Sequence, residues 1–181
     1  ATGTADATTF LRGDNAWVAP TGGLSEADTW RITTAFSGDK LASAGGIDAN
    51  WERDDTDGNG LLGTGMSESS GVFTFPSTGF WLVTFAARFY NGVDSRHNNY
   101  SIYVTTDNSS YDQATRGTGY VTVSESSNTS GGAISSKIID VTSTTLVKVL
   151  FEADVSVDTT STSGHSGWNE TYATFIKLGD T

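Results

Sequence analysis

Between residues 80 and 90 the chain reads FWLVTFAARFY, with apolar side chains on both of its alternating faces. Trp81, Val83, Phe85, Ala87 and Phe89 fall on one side, Phe80, Leu82 and Ala86 on the other. An antiparallel strand with one face in water alternates apolar and polar residues, so this strand predicts a cover over each face. Upstream, 72–75 is apolar and β-prone, and Pro76, Ser77, Thr78 and Gly79 make the turn of a hairpin. A second long alternation covers 146–157. Val147, Val149, Phe151, Ala153, Val155 and Val157 form an inward stripe against Lys148, Glu152 and Asp154, with Leu146 and Leu150 as apolar exceptions. Shorter strands are predicted at 30–36, 100–105, 120–124, 133–141 and 171–178, and 37–70 reads as a Gly- and Asp-rich excursion.

Strands at this spacing, without helical periodicity, predict an all-β fold: a two-sheet antiparallel sandwich. Connections between successive antiparallel strands alternate between its two ends. The tight links at 76–79 and 142–145 fall at one end, with the C-terminus. The longer, polar links at 91–99, 125–132 and 158–170 fall at the other, and 107–118 is an exception, long at the tight end. One end is expected to anchor and the opposite end to present loops.

Composition narrows the function classes. A net charge of −11 with ten Lys and Arg excludes a basic face for nucleic acid and disfavours anionic membranes. No apolar run approaches the ~20 residues of a membrane span. Without cysteine there is no disulfide, thiolate metal site or cysteine nucleophile. Residues 1–9 carry neither a signal-peptide pattern nor an initiator Met, which predicts a fragment or mature form of a longer chain.

Candidate chemistry is sparse. Asp55, Asp57 and Asn59 match the first half of a calcium loop, but Met66 stands where a bidentate Glu belongs, so calcium is an alternative to a plain acidic loop. Gly164 to Trp168 lacks the second glycine of a nucleophile elbow. Glu52, Glu68, Glu125 and Glu170 show no spacing that selects a glycosidase pair, and no catalytic residue or cofactor is expected. Two loop histidines, His97 and His165, make a poor zinc case. Trp51 and Trp168 lie in or beside polar loops. With His97, Asn98, His165 and Asn169 they are the ligand candidates, since an exposed indole beside amides can stack on a sugar ring; the plain alternative is that each Trp covers an edge of the sandwich. Three Asn-X-Ser/Thr sequences, at Asn108, Asn128 and Asn169, are unremarkable in so Ser/Thr-rich a chain.

Three segments together resemble a known family. GVFTFPSTGFWLVTFAA, SGGAISSKIIDVTSTTLVKVLF and TYATFIKLGD resemble, in order and spacing, the signature strands of the tumour-necrosis-factor-like and complement globular-head jelly rolls. The resemblance covers about residue 30 to the end and implies a ten-stranded jelly roll assembled as a homotrimer. It would make Phe80, Leu82, Ala86, Leu146 and Leu150 the trimer interface. No collagen-like stalk accompanies it. The opening stretch, ATGTADATTFLRGDNAWVAPTGG, instead resembles the repeat that precedes terminal domains of phage tail and head fibres. Arg12, Gly13 and Asp14 then belong to a turn between two short strands rather than to an adhesive receptor motif.

These readings combine into one expectation: a fibre-type connector at 1–29 with a short β-hairpin, and a jelly-roll head at 30–181. The chain is expected to be a non-enzymatic virion appendage. It would join other virion proteins on its N-terminal side and adhere to a host surface glycan or protein. Rival expectations are a capsid-decoration protein without receptor binding, and a secreted carbohydrate-binding module.

Overall fold

The computed structural model describes residues 2–5, 9–18, 23–56, 58–123 and 127–181. Its strands are β1 (Phe10–Leu11), β2 (Trp17–Val18), β3 (Ala27–Ile32), β4 (Thr34–Ser37), β5 (Trp51–Arg53), β6 (Ser67–Ser69), β7 (Val72–Thr74), β8 (Gly79–Asn91), β9 (Ser95–Thr105), β10 (Asp112–Val121), β11 (Thr129–Val141), β12 (Lys148–Val155), β13 (Ser161–His165) and β14 (Tyr172–Gly179). A 3-10 turn, Ala42–Ala44, precedes β5.

β1 and β2 form a two-stranded hairpin in register Phe10 with Val18 and Leu11 with Trp17. Asn15 takes a φ of 68°, and the Arg12 guanidinium pairs with the Asp14 carboxylate inside the turn. Each partner stabilises the other's charge, raising the pKa of Arg12 and lowering that of Asp14. Arg12 and Asp14 are therefore turn chemistry.

The remaining strands make two antiparallel sheets. One has five strands in the order β10-β9-β12-β7-β6. The other centres on β8, which pairs along one whole edge with β11, from Thr129 opposite Asn91 to Val141 opposite Gly79. Along its other edge lie β13 and β14 end to end, with Thr162 opposite Phe89 and Tyr172 opposite Ala86. β4 and β3 continue outward in the same broken fashion, and β5 closes that side.

Alternation along β8 is as the sequence predicts: Trp81, Val83, Phe85, Ala87 and Phe89 are buried between the sheets. They meet Trp51, Phe73, Phe75, Phe151 and Phe175 in an aromatic core, with Trp51 edge-on to Phe73 at 5.1 Å and Phe85 4.7 Å from Phe151. Such pairs add about 0.5–1.5 kcal/mol each beyond the area they bury. Towards the end where β8 turns into β9 the interior becomes polar. There the Asn91 amide donates to Thr160 Oγ1 at 2.9 Å, Ser95 Oγ to Asn98 Oδ1 at 2.8 Å, and the Tyr100 and Thr162 hydroxyls lie 2.7 Å apart.

That polar layer explains where the observed strands depart from expectation. β9 begins at Ser95, not residue 100, because Asn98 turns inward, fully buried, onto hydroxyls rather than water. β10 occupies most of the expected 107–118 connection, so the link at the tight end is short after all. Of the expected strand at 120–124 only Tyr120 and Val121 belong to β10, and Ser124 lies outside the described residues. Part of the expected 158–170 loop is β13, and the expected strand at 30–36 breaks at Thr33, whose N–H turns to the Asn50 carbonyl. The sandwich itself begins at Ala27, inside the stretch expected as connector. Asp28 is drawn into the interior there by Arg53 at 3.1 Å and the Met66 N–H at 2.8 Å.

Ala27 pairs with Ile176, and Gly179 with Phe80, so the first strand enters and the last strand leaves at the tight-turn end. The links at 92–94 and 156–160 lie at the opposite end, where β10 ends and β11 begins.

β10 and β11, the free edges of the two sheets, meet along a seam. A side chain at Gly117 would overlap the Ile134 carbonyl and one at Gly119 the Phe89 ring. Gly117→Val should therefore destabilise the domain by about 1–3 kcal/mol, read as a lower urea midpoint at unchanged slope. In the 106–111 turn, the Ser110 N–H, the Thr105 hydroxyl and the Ser109 N–H hold the Asp107 pKa down at about 2 from an ordinary 3.8. This cap contributes fully above 3.8 and is lost as pH falls through 2. A carboxyl-carbon NMR titration should place the Asp107 midpoint near 2.

A candidate ligand-binding hollow beside a buried arginine

The breaks in β3/β4 and β13/β14 fall side by side, with His165 opposite Thr34 and Tyr172 opposite Arg31. Strand alternation turns Trp30 and Ile32 towards the core, so Arg31 points outward from the sheet, yet it is only 1% exposed. The segment after β5 folds over it. Arg31 Nη1 donates to Asp54 Oδ1 and Thr56 Oγ1, both at 2.8 Å. Nη2 donates to Asp55 Oδ1 at 3.1 Å, and Nε and Nη2 share Glu52 Oε2 at 3.3 Å. Three carboxylates thus surround one guanidinium.

The same cluster ties two loops together. The other oxygen of Asp54 accepts the Asn169 amide at 2.7 Å, and the Asn59 amide donates to the Asp54 carbonyl at 2.8 Å. Between the loops lies a hollow of about 410 Å³ walled by Asp54, Thr56, Gly58, Asn59, Trp168 and Asn169. Trp168 is 57% exposed and stacks on His165 with 14° between the rings. His165 Nδ1 accepts the Gly167 N–H at 2.8 Å, which leaves Nε2 to carry the proton of the neutral ring. An exposed indole beside an amide, a hydroxyl and a carboxylate suits a ligand with one apolar face and several hydroxyls.

The sequence candidates divide accordingly. His165, Trp168 and Asn169 come together. Trp51 does not join them: its ring packs on Phe73, Phe85 and Phe151, and its Nε1 donates to the Ile47 carbonyl at 2.7 Å. His97 and Asn98 are on β9 rather than a loop, His97 half-exposed 3.9 Å from Asp154 and Asn98 fully buried. Of the calcium candidates, Asp55 faces Arg31, Asn59 donates to the backbone and Asp57 lies outside the described residues. The positive charge beside this acidic loop is the guanidinium. Among the described residues no three His, Asp or Glu side chains converge on a possible metal position. Glu52 and Glu170 each face an arginine, Glu170 at 3.0 Å from Arg88, Glu68 caps the Gly71 N–H at 2.6 Å, and Glu125 is outside the described residues.

Phe80, Leu82 and Ala86 share the outward face of β8, as expected. Ile134 and Ile138 of β11 stand directly opposite Ala86 and Leu82, 66% and 55% exposed, and extend that face. The Ile134-Ser136-Ile138 alternation was the available signal for them. Leu146 and Leu150 are elsewhere, on the other sheet. Leu146 sits on the turn before β12, and Leu150 is buried beneath Gly46, where the chain crosses the edge of β12 through Lys40 to Ala153 and Ile47 to Phe151 hydrogen bonds. Arg31 was missed, because a lone arginine within a strand pattern signals nothing about its cover.

No protein-family model and no curated protein matches the sequence. Solved structures do match. Eiger TNF from S. frugiperda aligns with a TM-score of 0.60 and 13% identity over 86% of this chain and 93% of that one. Murine APRIL at pH 5.0 aligns with a TM-score of 0.60 and 12% identity over 84% and 98%. The fold is a tumour-necrosis-factor-like jelly roll. At such identity the likeness extends to the fold alone.

Arg31→Ala would leave three carboxylates facing each other and should cost about 3–5 kcal/mol in urea unfolding. Trp168→Ala removes an exposed ring and should change stability by no more than about 0.5 kcal/mol.

Proposed function

We propose that this chain is the non-enzymatic adhesive head of a virion fibre, working as a homotrimer that holds a host-surface glycan at the Trp168 hollow. The observation that carries the reading is the bare apolar face of β8 and β11. Phe80, Ile134 and Ile138 are 41%, 66% and 55% exposed on one face, with the Thr84–Ser136 hydroxyl pair between the two isoleucines, and exposed apolar surface of this kind marks an interface. A threefold partner is what the jelly-roll resemblance implies, and it would cover that patch. The assignment to a virion rests on the fibre-like phrase around Phe10–Trp17. The termini of the sandwich share one end, which suits a head carried on a stalk. Three copies of a shallow hollow would add weak contacts into firm attachment through effective concentration. A monomeric carbohydrate-binding module is the second reading, since the Trp168 hollow would serve it equally.

Light scattering separates the two. The expected mass is three times the 19.0 kDa chain. The double substitution Ile134→Asp, Ile138→Asp should reduce it to one chain with an unchanged circular dichroism spectrum. A stable wild-type monomer would overturn the trimeric reading and favour the binding module.

A further inference from the structure

Three carboxylates among the described residues are more than nine-tenths buried: Asp28, Asp54 and Glu152, at 3%, 8% and 7% exposure. Asp28 is paired with Arg53 and Asp54 with Arg31, whereas Glu152 has no cationic partner among the described residues. Its Oε2 accepts the Ala42 N–H at 2.9 Å, and Tyr103 lies beside it. A carboxylate removed from water without a counter-charge is costly, and a cation that reached it would recover that cost.

Glu152 can be reached. It points outward from β12, between inward Phe151 and Ala153, and lines a hollow of about 410 Å³. Tyr103 and Tyr111 line the same hollow, with Ser43, Ser109 and Leu41. Burial raises the pKa of both tyrosines, and for Tyr103 the charge of Glu152 adds to the rise, so both rings stay neutral and keep their hydroxyl protons. Aromatic rings beside a carboxylate attract an ammonium ion through the ring quadrupole as well as the charge. The surrounding hydroxyls suit a ligand rich in hydroxyls better than the apolar stem of a lysine side chain.

We infer that this hollow, on the outward face of the five-stranded sheet, is a binding site for a protonated primary amine carried on a sugar. The ammonium sits at Glu152, and the ring lies between Tyr103 and Tyr111. The net charge of −11 raises the local concentration of such a cation. The site shares no residue with the Trp168 hollow or with the bare face of β8 and β11.

The test is calorimetric titration of the full chain with glucosamine, N-acetylglucosamine, glucose and Nα-acetyl-lysine amide. Glucosamine should bind at least tenfold more tightly than glucose or N-acetylglucosamine, and Glu152→Gln should abolish that preference. Tyr111→Ala, which leaves the Glu152 carboxylate and its Ala42 hydrogen bond in place, should weaken glucosamine at least fivefold, and it carries the test should Glu152→Gln fail to fold. Equal binding of all three sugars, no binding, or a preference that survives both variants would overturn the inference. Binding of the lysine amide as tightly as glucosamine would also overturn it, in favour of a basic peptide.

Discussion

A guanidinium lifted out of water on the outside of a sheet must be neutralised where it stands. Arg31 is such a group, and much of the local architecture follows from it. Desolvating an ion of this kind costs several kcal/mol, a cost offset here by three carboxylates and a threonine hydroxyl. Those acceptors come from one short stretch, 52–56, so the chain after β5 has to fold back over the sheet instead of continuing along it. Asp54 then has an oxygen left for Asn169, which fixes the place where the chain between β13 and β14 leaves the sheet. The hollow at Trp168 is the space left between two segments pinned to one cation. Its walls are held by hydrogen bonds within the chain, an arrangement that would lower the ordering cost of binding a ligand.

The two sheets are dressed differently, and the reason lies in the route of the 38–48 segment. On the five-stranded sheet that segment crosses the edge of β12 and covers Leu150, beside the hollow at Glu152. On the other sheet nothing comparable among the described residues crosses β8 and β11, and Phe80, Ile134 and Ile138 stay exposed. The glycine-lined seam between β10 and β11 brings the sheet edges close along that side. One wall of the sandwich is covered by a crossing segment of the chain, and the other is left open.

How much of this the sequence disclosed depends on which physical effect dominated each segment. β8 and β12 were legible because apolar burial at period two governs them over their whole length. The start of β9 was not, since Asn98 and Ser95 are polar residues buried against each other and so read as solvent-exposed. β10, DQATRGTGYV, looked like a loop because Gly117 and Gly119 are there for close approach rather than flexibility. Residues 55–59 resembled a cation loop for a sound reason, an excess of acidic side chains, but the cation beside them comes from a strand more than twenty residues upstream. His165, Trp168 and Asn169 could be picked out by type and proximity in sequence. Their partner wall, Asp54, Thr56 and Asn59, could not, because only tertiary folding brings it there.

The change of interior from aromatic at one end to hydroxyl and amide at the other has a mechanical consequence. Ring packing near Phe73, Phe85 and Phe151 resists separation until whole side chains are withdrawn, whereas the hydrogen bonds joining Asn91, Thr160 and Ser95, and Tyr100 to Thr162, can be exchanged for water one at a time. The sandwich is therefore built like a hinge with a stiff root and a compliant tip: pulled or heated, it parts first at the end away from its termini and last where the chain enters and leaves.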